Sequence, residues 1–154
     1  QGFAEQKEIT KLRTYFGNID IRHHICRLEE TEENQLAVTK DLVLRYFREL
    51  ERVKEMYGLK EIEIVAALPI ESISRKLPKT GYYKGKPYWG SWASRMMVSQ
   101  EFNRICRGLC DRLNGYTFIQ WPSKFTNPRG ELDFEYMERP QSVHVSPEHY
   151  MWSI

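Results

Sequence analysis

Three short segments concentrate the side chains that could carry out chemistry. The first, residues 17–24, reads Gly-Asn-Ile-Asp-Ile-Arg-His-His. Asp20, Arg22 and His24 in such close succession could form a carboxylate-oriented imidazole, an anion site or part of a metal site. The structural alternative is that Asp20 pairs with Arg22 or caps a turn while the histidines stay partly exposed. No Cys or carboxylate cluster completes a metal ligand set, so we expect neither a metal nor another cofactor.

The second segment, residues 142–150, reads Ser-Val-His-Val-Ser-Pro-Glu-His-Tyr. His144 lies between two valines, so the local chain would fix its ring while a loop leaves it accessible. A buried structural histidine is the alternative. Ser146 and Pro147 are explained as the N-cap and first residue of a short helix, predicted over 147–152.

The third segment, residues 75–92, interleaves basic and aromatic side chains. Its aromatic residues are Tyr82, Tyr83, Tyr88, Trp89 and Trp92. Such a loop could bind sugars by stacking, a nucleic acid strand by stacking and charge, or a partner protein. The alternative is that several rings fold back and cover the sheet.

Hydrophobic periodicity predicts the elements that position these segments. We predict strands over 11–16, 61–68 and 116–121, a loop over 18–27, and helices over 32–57 and 91–114, the helices ending at Gly58 and Gly115. Strands that alternate with crossover helices indicate a parallel sheet covered on both faces. The loops after residues 16, 68 and 121 should meet at the carboxyl edge of that sheet, where such folds bind ligands.

Composition limits the function classes. The chain has 154 residues, 41% of them apolar, which fits one domain over 1–154. A net charge of +2 provides little electrostatic affinity and argues against a nucleic-acid partner, and no apolar run is long enough to span a membrane. Three cysteines without a CxxC pair favour a reducing, cytoplasmic location.

In their order along the chain, these elements resemble the SGNH (GDSL-like) hydrolase superfamily, in particular its diverged branch of microbial and viral polysaccharide-related proteins. Residues 16–24 resemble the Gly-x-Asn-Asp block, and Asp20, Arg22 and His24 follow the Asp-x-Arg-x-His pattern of the diverged branch. Ile19 stands where the oxyanion-hole asparagine belongs, with Asn18 one residue earlier. Residues 142–150 resemble the Asp-x-x-His block, with His144 as its histidine and Gln141 in place of its carboxylate.

The resemblance implies a three-layer, flavodoxin-like α/β fold and an esterase or acyltransferase acting on an acylated carbohydrate. His144 would be the general base, with Asp20, Arg22 and His24 in the catalytic site and Gly17, Asn18 and Gln141 as oxyanion or positioning residues. The five aromatic residues of the third segment would bind the sugar. No Gly-Asp-Ser block precedes residue 16, so the nucleophilic serine would come from outside this sequence, and the first strands of the fold would be missing.

The alternative function is a catalytically inactive module of the same fold that binds carbohydrate or a protein partner. The absent serine, Ile19 and Gln141 favour it. A sheet without its first strands exposes an edge, so a homo-oligomer or a larger assembly is expected to cover the strand at 11–16.

Overall fold

The computed structural model describes residues 9–71, 79–81, 84–85, 88–136, 145–146 and 148–149. Its sheet contains three strands, β1 (Lys11–Tyr15), β2 (Glu61–Val65) and β3 (Tyr116–Ile119), in the spatial order β1-β2-β3. Both strand pairs are parallel. The predicted α/β class, a parallel sheet flanked by helices, is therefore confirmed.

Two long helices make the crossovers between the strands. Helix α2 (Glu32–Tyr57) begins after Thr31, whose side chain accepts the backbone N–H of Asn34, and it ends at Gly58, which adopts a φ of 63°. Helix α3 (Trp92–Arg112) begins after Ser91, whose hydroxyl accepts the backbone N–H of Ser94 at 3.0 Å. Sequence and structure agree on both helices because each carries a long apolar stripe after a capping side chain, although α3 ends at Arg112, two residues before its predicted end.

The core lies between these helices and one face of the sheet. Ile62 and Ile64 of β2 are buried there with apolar residues from α2 and α3, namely Val43, Phe47, Leu50, Val98, Phe102 and Cys106. Alternation along β2 sends Glu63 and Val65 to the other face. Glu63 pairs with Lys11 at 2.8 Å and with Arg13 at 2.6 Å, and the Arg13 hydrogen bond holds the pKa of Glu63 below its usual range.

A second, smaller core forms where the chain leaves β2 and β3. Its buried members are Val65, Ala66, Leu68, Trp121, Phe125, Leu132 and Val145. This cluster links the ends of two strands to the segment at 145–146. None of the helices among the described residues combines the length and apolar character that crossing a lipid bilayer requires.

The predicted second strand is three residues too long. Pairing stops at Val65, and residues 66–68 continue as a buried connection whose polar backbone groups are taken up largely by side chains. Asn103 Oδ1 accepts the N–H of Ala67 and Asn18 Oδ1 accepts the N–H of Leu68, each at 2.8 Å. The carbonyl of Ala66 accepts the Trp121 indole N–H at 2.9 Å. The apolar side chains of residues 66–68 do not reveal whether their backbone groups bond to side chains or to a neighbouring strand.

The predicted loop over 18–27 is wrong. A single π-helical turn, Asp20–His24, runs directly into the short helix α1, Ile25–Leu28. The stretch is too short to show helical periodicity, and its buried face includes charged Arg22 and polar His23 beside Ile21 and Ile25. The helix predicted over 147–152 falls mostly outside the described residues.

Candidate active site

Gly17 makes the turn that brings the candidate site to the end of β1. It adopts a φ of 85°, and its carbonyl accepts the backbone N–H of Ile21 at 2.9 Å, which starts the π-helical turn. A Cβ atom at this position would lie 2.6 Å from two ring carbons of Phe102. Glycine is therefore required here both by the backbone conformation and by the close approach of α3.

Asn18 links the end of β1 to the end of β2. Because the Leu68 N–H is a donor, the amide atom facing it at 2.8 Å is the oxygen, which fixes the orientation of the amide. The same oxygen lies 3.5 Å from Nη1 of Arg22. The amide nitrogen Nδ2 has no hydrogen-bond partner among the described residues, so two N–H donors remain for a ligand. Ile19, the next residue, is 40% exposed and offers no side-chain donor.

Arg22 is fully buried and holds Glu71 in an ion pair. Its Nε lies 3.0 Å from Oε2 of Glu71, and its Nη2 lies 3.0 Å from the same oxygen and 2.9 Å from the Pro69 carbonyl. Burial by itself raises the pKa of Glu71, but the Arg22 guanidinium outweighs it and holds that pKa below its usual range. The structural alternative, in which Asp20 pairs with Arg22, is therefore wrong: Arg22 fastens the π-helical turn to the segment after β2.

Asp20 instead faces His24, one turn along the chain. Asp20 Oδ1 and His24 Nδ1 are 3.1 Å apart, and the two side chains are 30% and 40% exposed. Their contact orients the imidazole, and Nε2 has no partner within the described part of the chain. Of the three arrangements proposed from the sequence for this segment, the Asp20–His24 pair corresponds to the carboxylate-oriented imidazole. No group of three or more His, Cys, Asp or Glu side chains suited to a metal occurs among the described residues.

His23 points into the protein, contrary to the expectation that both histidines are partly exposed. It is 5% exposed. Burial, and then the positive charge of Arg22, lower its pKa to about 4. The side chain is therefore neutral near pH 7, and its role is structural.

The aromatic segment lies against the same region. The backbone N–H of Trp89 donates to the Arg22 carbonyl at 2.8 Å, and the Tyr88 ring stacks on the Arg95 guanidinium, 3.5 Å from its carbon Cζ to the ring centroid. Trp92 packs against the main core. Trp89 and Tyr88 are half-buried. The segment at 88–92 thus lies against the π-helical turn through the backbone of Trp89, and stacking on a sugar stays a prediction. Tyr82 and Tyr83 lie outside the described residues.

His144 and Gln141 also lie outside the described residues, so their predicted roles stay predictions. The following residue, Val145, is 1% exposed and belongs to the smaller core, which also contains Leu68. The N–H of Ser146 donates to the Tyr136 carbonyl at 2.9 Å. The described residues beside His144 are thus attached to the cluster at the carboxyl end of β2, whose Leu68 binds Asn18.

Sequence reasoning missed three residues of this region: Glu71, Arg95 and Asn103. Arg95 Nη1 donates to the Glu71 carbonyl at 2.9 Å, and Arg95 is fully buried. A signal for it exists, because Arg95 lies three and seven residues before Val98 and Phe102 and hence on the apolar face of α3. For Glu71 the signal is that a charged residue directly follows the apolar run at 64–70. Asn103 carries no comparable signal.

Comparisons with known proteins support the fold. No family model and no curated protein matches the sequence. A solved structure described as that "of a putative platelet activating factor from Streptococcus pneumonia" superposes with a TM-score of 0.52 at 18% identity over 91% of this chain. This chain spans about half of that protein, 54% of its length. At this identity the similarity shows a shared α/β fold.

Proposed function

We propose that this chain forms the greater part of an SGNH-like esterase or acyl-transfer domain acting on an acylated carbohydrate. One observation carries the proposal: the bond from Leu68 to Asn18 fixes the Asn18 amide at the carboxyl edge of a parallel sheet, and no described residue takes up its N–H donors. The sequence resemblance and the fold shared with a protein described as a "putative platelet activating factor" support it.

Asn18 would stabilise the oxyanion of an ester undergoing attack. Negative charge develops on the carbonyl oxygen in that step, and a donor held in place beforehand lowers the barrier without reorganising. Asn18 is held at one end by Leu68 and is followed by a turn that Arg22 and Glu71 fasten. It would therefore substitute for the oxyanion-hole asparagine that Ile19 replaces.

The remaining roles follow from the resemblance. A serine outside this sequence would attack the ester carbonyl, His144 would take the serine proton and return it to the leaving alcohol, and water would release the acyl group in a second cycle. Gln141 would orient His144 by a hydrogen bond. Asp20, Arg22 and His24 would shape the site, with the exposed His24 imidazole facing the substrate.

The aromatic segment suggests a carbohydrate as the alcohol part of the substrate. Rings stack on the apolar faces of sugars, and the backbone of Trp89 is bonded to the π-helical turn, with Tyr88, Trp92, Tyr82 and Tyr83 in the same segment of sequence. A net charge of +2 gives little electrostatic affinity for a nucleic acid.

Release of acetate from acetylated oligosaccharides and of phenol from aryl esters by the full-length protein tests the function. We expect turnover in the wild type and its loss in His144→Ala. Equal turnover by both proteins would contradict the role of His144, and no turnover of any ester by the wild type would contradict the function.

A catalytically inactive binding or assembly module is the second candidate, favoured by Ile19, whose exposed apolar side chain stands in place of a donor. The same preparation distinguishes the two. Saturable binding of the oligosaccharide by calorimetry without acetate release would support the inactive module, whereas acetate release lost in His144→Ala would contradict it.

A further inference from the structure

One whole edge of the Arg95 guanidinium meets no hydrogen-bond partner among the residues that the structure describes. The side chain is fully buried, and its Nη1 donates to the Glu71 carbonyl at 2.9 Å. Nε and Nη2 have no hydrogen-bond partner within the part of the chain that the structure describes. These two atoms form the side edge of the guanidinium, whose parallel N–H bonds match the two oxygens of a carboxylate or phosphate.

In Arg22 the corresponding edge, formed by Nε and Nη2, is occupied by a carboxylate. Its Nε and Nη2 both lie 3.0 Å from the Glu71 carboxylate. Both arginines therefore contact Glu71, but Arg22 takes the carboxylate and Arg95 takes only the backbone carbonyl. A buried guanidinium with unused N–H groups is costly, and an anion at this edge would remove that cost.

The buried charges around Arg95 that the structure describes include more cations than anions. Arg22 and Arg95 are both buried, and among the buried residues close to them the structure gives one carboxylate, that of Glu71. The sequence from 72 to 100 contains no Asp or Glu, so the segment that covers Arg95 cannot supply a second. Burial lowers the pKa of Arg95, and Glu71 opposes that shift.

The surroundings of Arg95 add a further donor and a cover. The indole N–H of Trp92, one helical turn earlier, is also buried without a hydrogen-bond partner among the described residues. The Tyr88 ring covers the face of the guanidinium at 3.5 Å, which leaves its edge for hydrogen bonds. Gly90 packs so closely that a Cβ there would lie 2.6 Å from Cβ of Cys26, so the cover is tight.

We propose that the Nε and Nη2 edge of Arg95, together with the indole N–H of Trp92, binds the oxyanion of a small ligand, a carboxylate or a phosphate group. The anion lies beneath residues 88–92, and its binding requires this segment to open. Anion binding here can be tested apart from ester hydrolysis, because neither the Arg95 edge nor the Trp92 N–H takes part in the bond-making and bond-breaking steps proposed for that reaction.

Titration of the protein with acetate, glucuronate and inorganic phosphate at low ionic strength tests this site. We follow the Arg95 Nε–H resonance by NMR and the affinity by calorimetry. We expect a saturable shift of that resonance. Binding by the two carboxylates alone identifies a carboxylate site, binding by phosphate alone a phosphate site, and either result supports the proposal. A resonance that none of the three probes shifts overturns it.

Two variants and a control connect the binding to these donors. Arg95→Lys keeps the charge but removes the two parallel N–H donors of the guanidinium edge. We expect its affinity for the bound probe to fall ~10-fold or more, which is the effect of a lost charge-assisted hydrogen bond. Trp92→Phe keeps an aromatic ring but removes the N–H, and it should weaken binding while the protein stays folded. Arg104→Lys, on an exposed pair with Glu101, should bind as the wild type does. Unchanged affinity in both Arg95→Lys and Trp92→Phe would also overturn the proposal.

Discussion

Arg22 and Glu71 form an ion pair that is closed to solvent, with Nη2 and Oε2 separated by 3.0 Å and side-chain exposures of 0% and 5%. The pair joins the π-helical turn after β1 to the segment after β2. Because a buried charge without its partner is strongly unfavourable, the two residues depend on each other.

Glu71→Gln should therefore destabilise the protein severely. The substitution keeps the shape of the side chain but leaves the Arg22 charge uncompensated, at an expected cost of about 3–5 kcal/mol in the free energy of unfolding. Urea denaturation followed by circular dichroism measures it. Glu49→Gln is the matched control, since Glu49 pairs with Arg52 at the surface with exposures of 62% and 66%. That control should cost less than ~1 kcal/mol, and equal costs would contradict the role of the buried pair.

His23 should make stability depend on pH in a definite window. Its pKa is about 4 in the folded protein against 6.5 when unfolded, so the unfolded state binds the proton more readily. Stability is fully present above pH 6.5 and is lost as the pH falls toward 4, by about 3 kcal/mol in total. The pKa values of Glu63 and Glu71 lie below 4.5, so these carboxylates contribute at lower pH.

Unfolding free energies measured between pH 7 and 4.5 check this dependence in the wild type and in His23→Gln. The variant lacks the titrating group, so its stability should change less over this range whatever its absolute value. The same slope in both proteins would show that His23 is not the responsible group.

Gly17→Ala should cost more than the same change at another glycine of positive φ. At Gly17 the added Cβ collides with the Phe102 ring, whereas at Gly58, with a φ of 63°, nothing lies within 4 Å of it. Backbone strain alone predicts about 1–2 kcal/mol for Gly58→Ala. Overpacking adds about 1–3 kcal/mol at Gly17. Thermal unfolding of the two variants measures the difference, and equal melting temperatures would contradict the packing argument.

The elements with long apolar stripes and clear caps could be predicted from the sequence, and the site only in part. Helices α2 and α3 were predictable because their periodicity extends over many turns, and the strands because their apolar or alternating segments are bounded by Gly or Pro. The π-helical turn was not, because it buries Arg22 and His23 on a stretch of five residues. A carboxylate-oriented imidazole could be proposed from the cluster at 20–24, but the pairing of Asp20 with His24 could not, because it depends on the turn that was missed. The partner of Arg22 could not, because Glu71 lies 49 residues away along the chain.

Residues 66–68 show the same limit in the sheet. Their apolar side chains are typical of a buried strand, but two asparagines from other elements supply the acceptors that a neighbouring strand would provide. The side-chain oxygens of Asn18 and Asn103 thus have the same structural role, since they accept the backbone N–H groups of the consecutive residues Leu68 and Ala67. Only Asn18 is proposed to have a chemical role as well. This difference provides a matched pair of variants.

The turnover of an aryl ester by Asn18→Asp tests the central claim most directly. Aspartate keeps the oxygen that accepts the Leu68 N–H but has no N–H to donate, so the fold is retained while the oxyanion donor is lost. We expect kcat to fall by about 10²–10³, while Asn103→Asp, which keeps the corresponding bond to Ala67, stays near the wild-type value. Equal turnover by Asn18→Asp and the wild type would contradict the proposed role of Asn18.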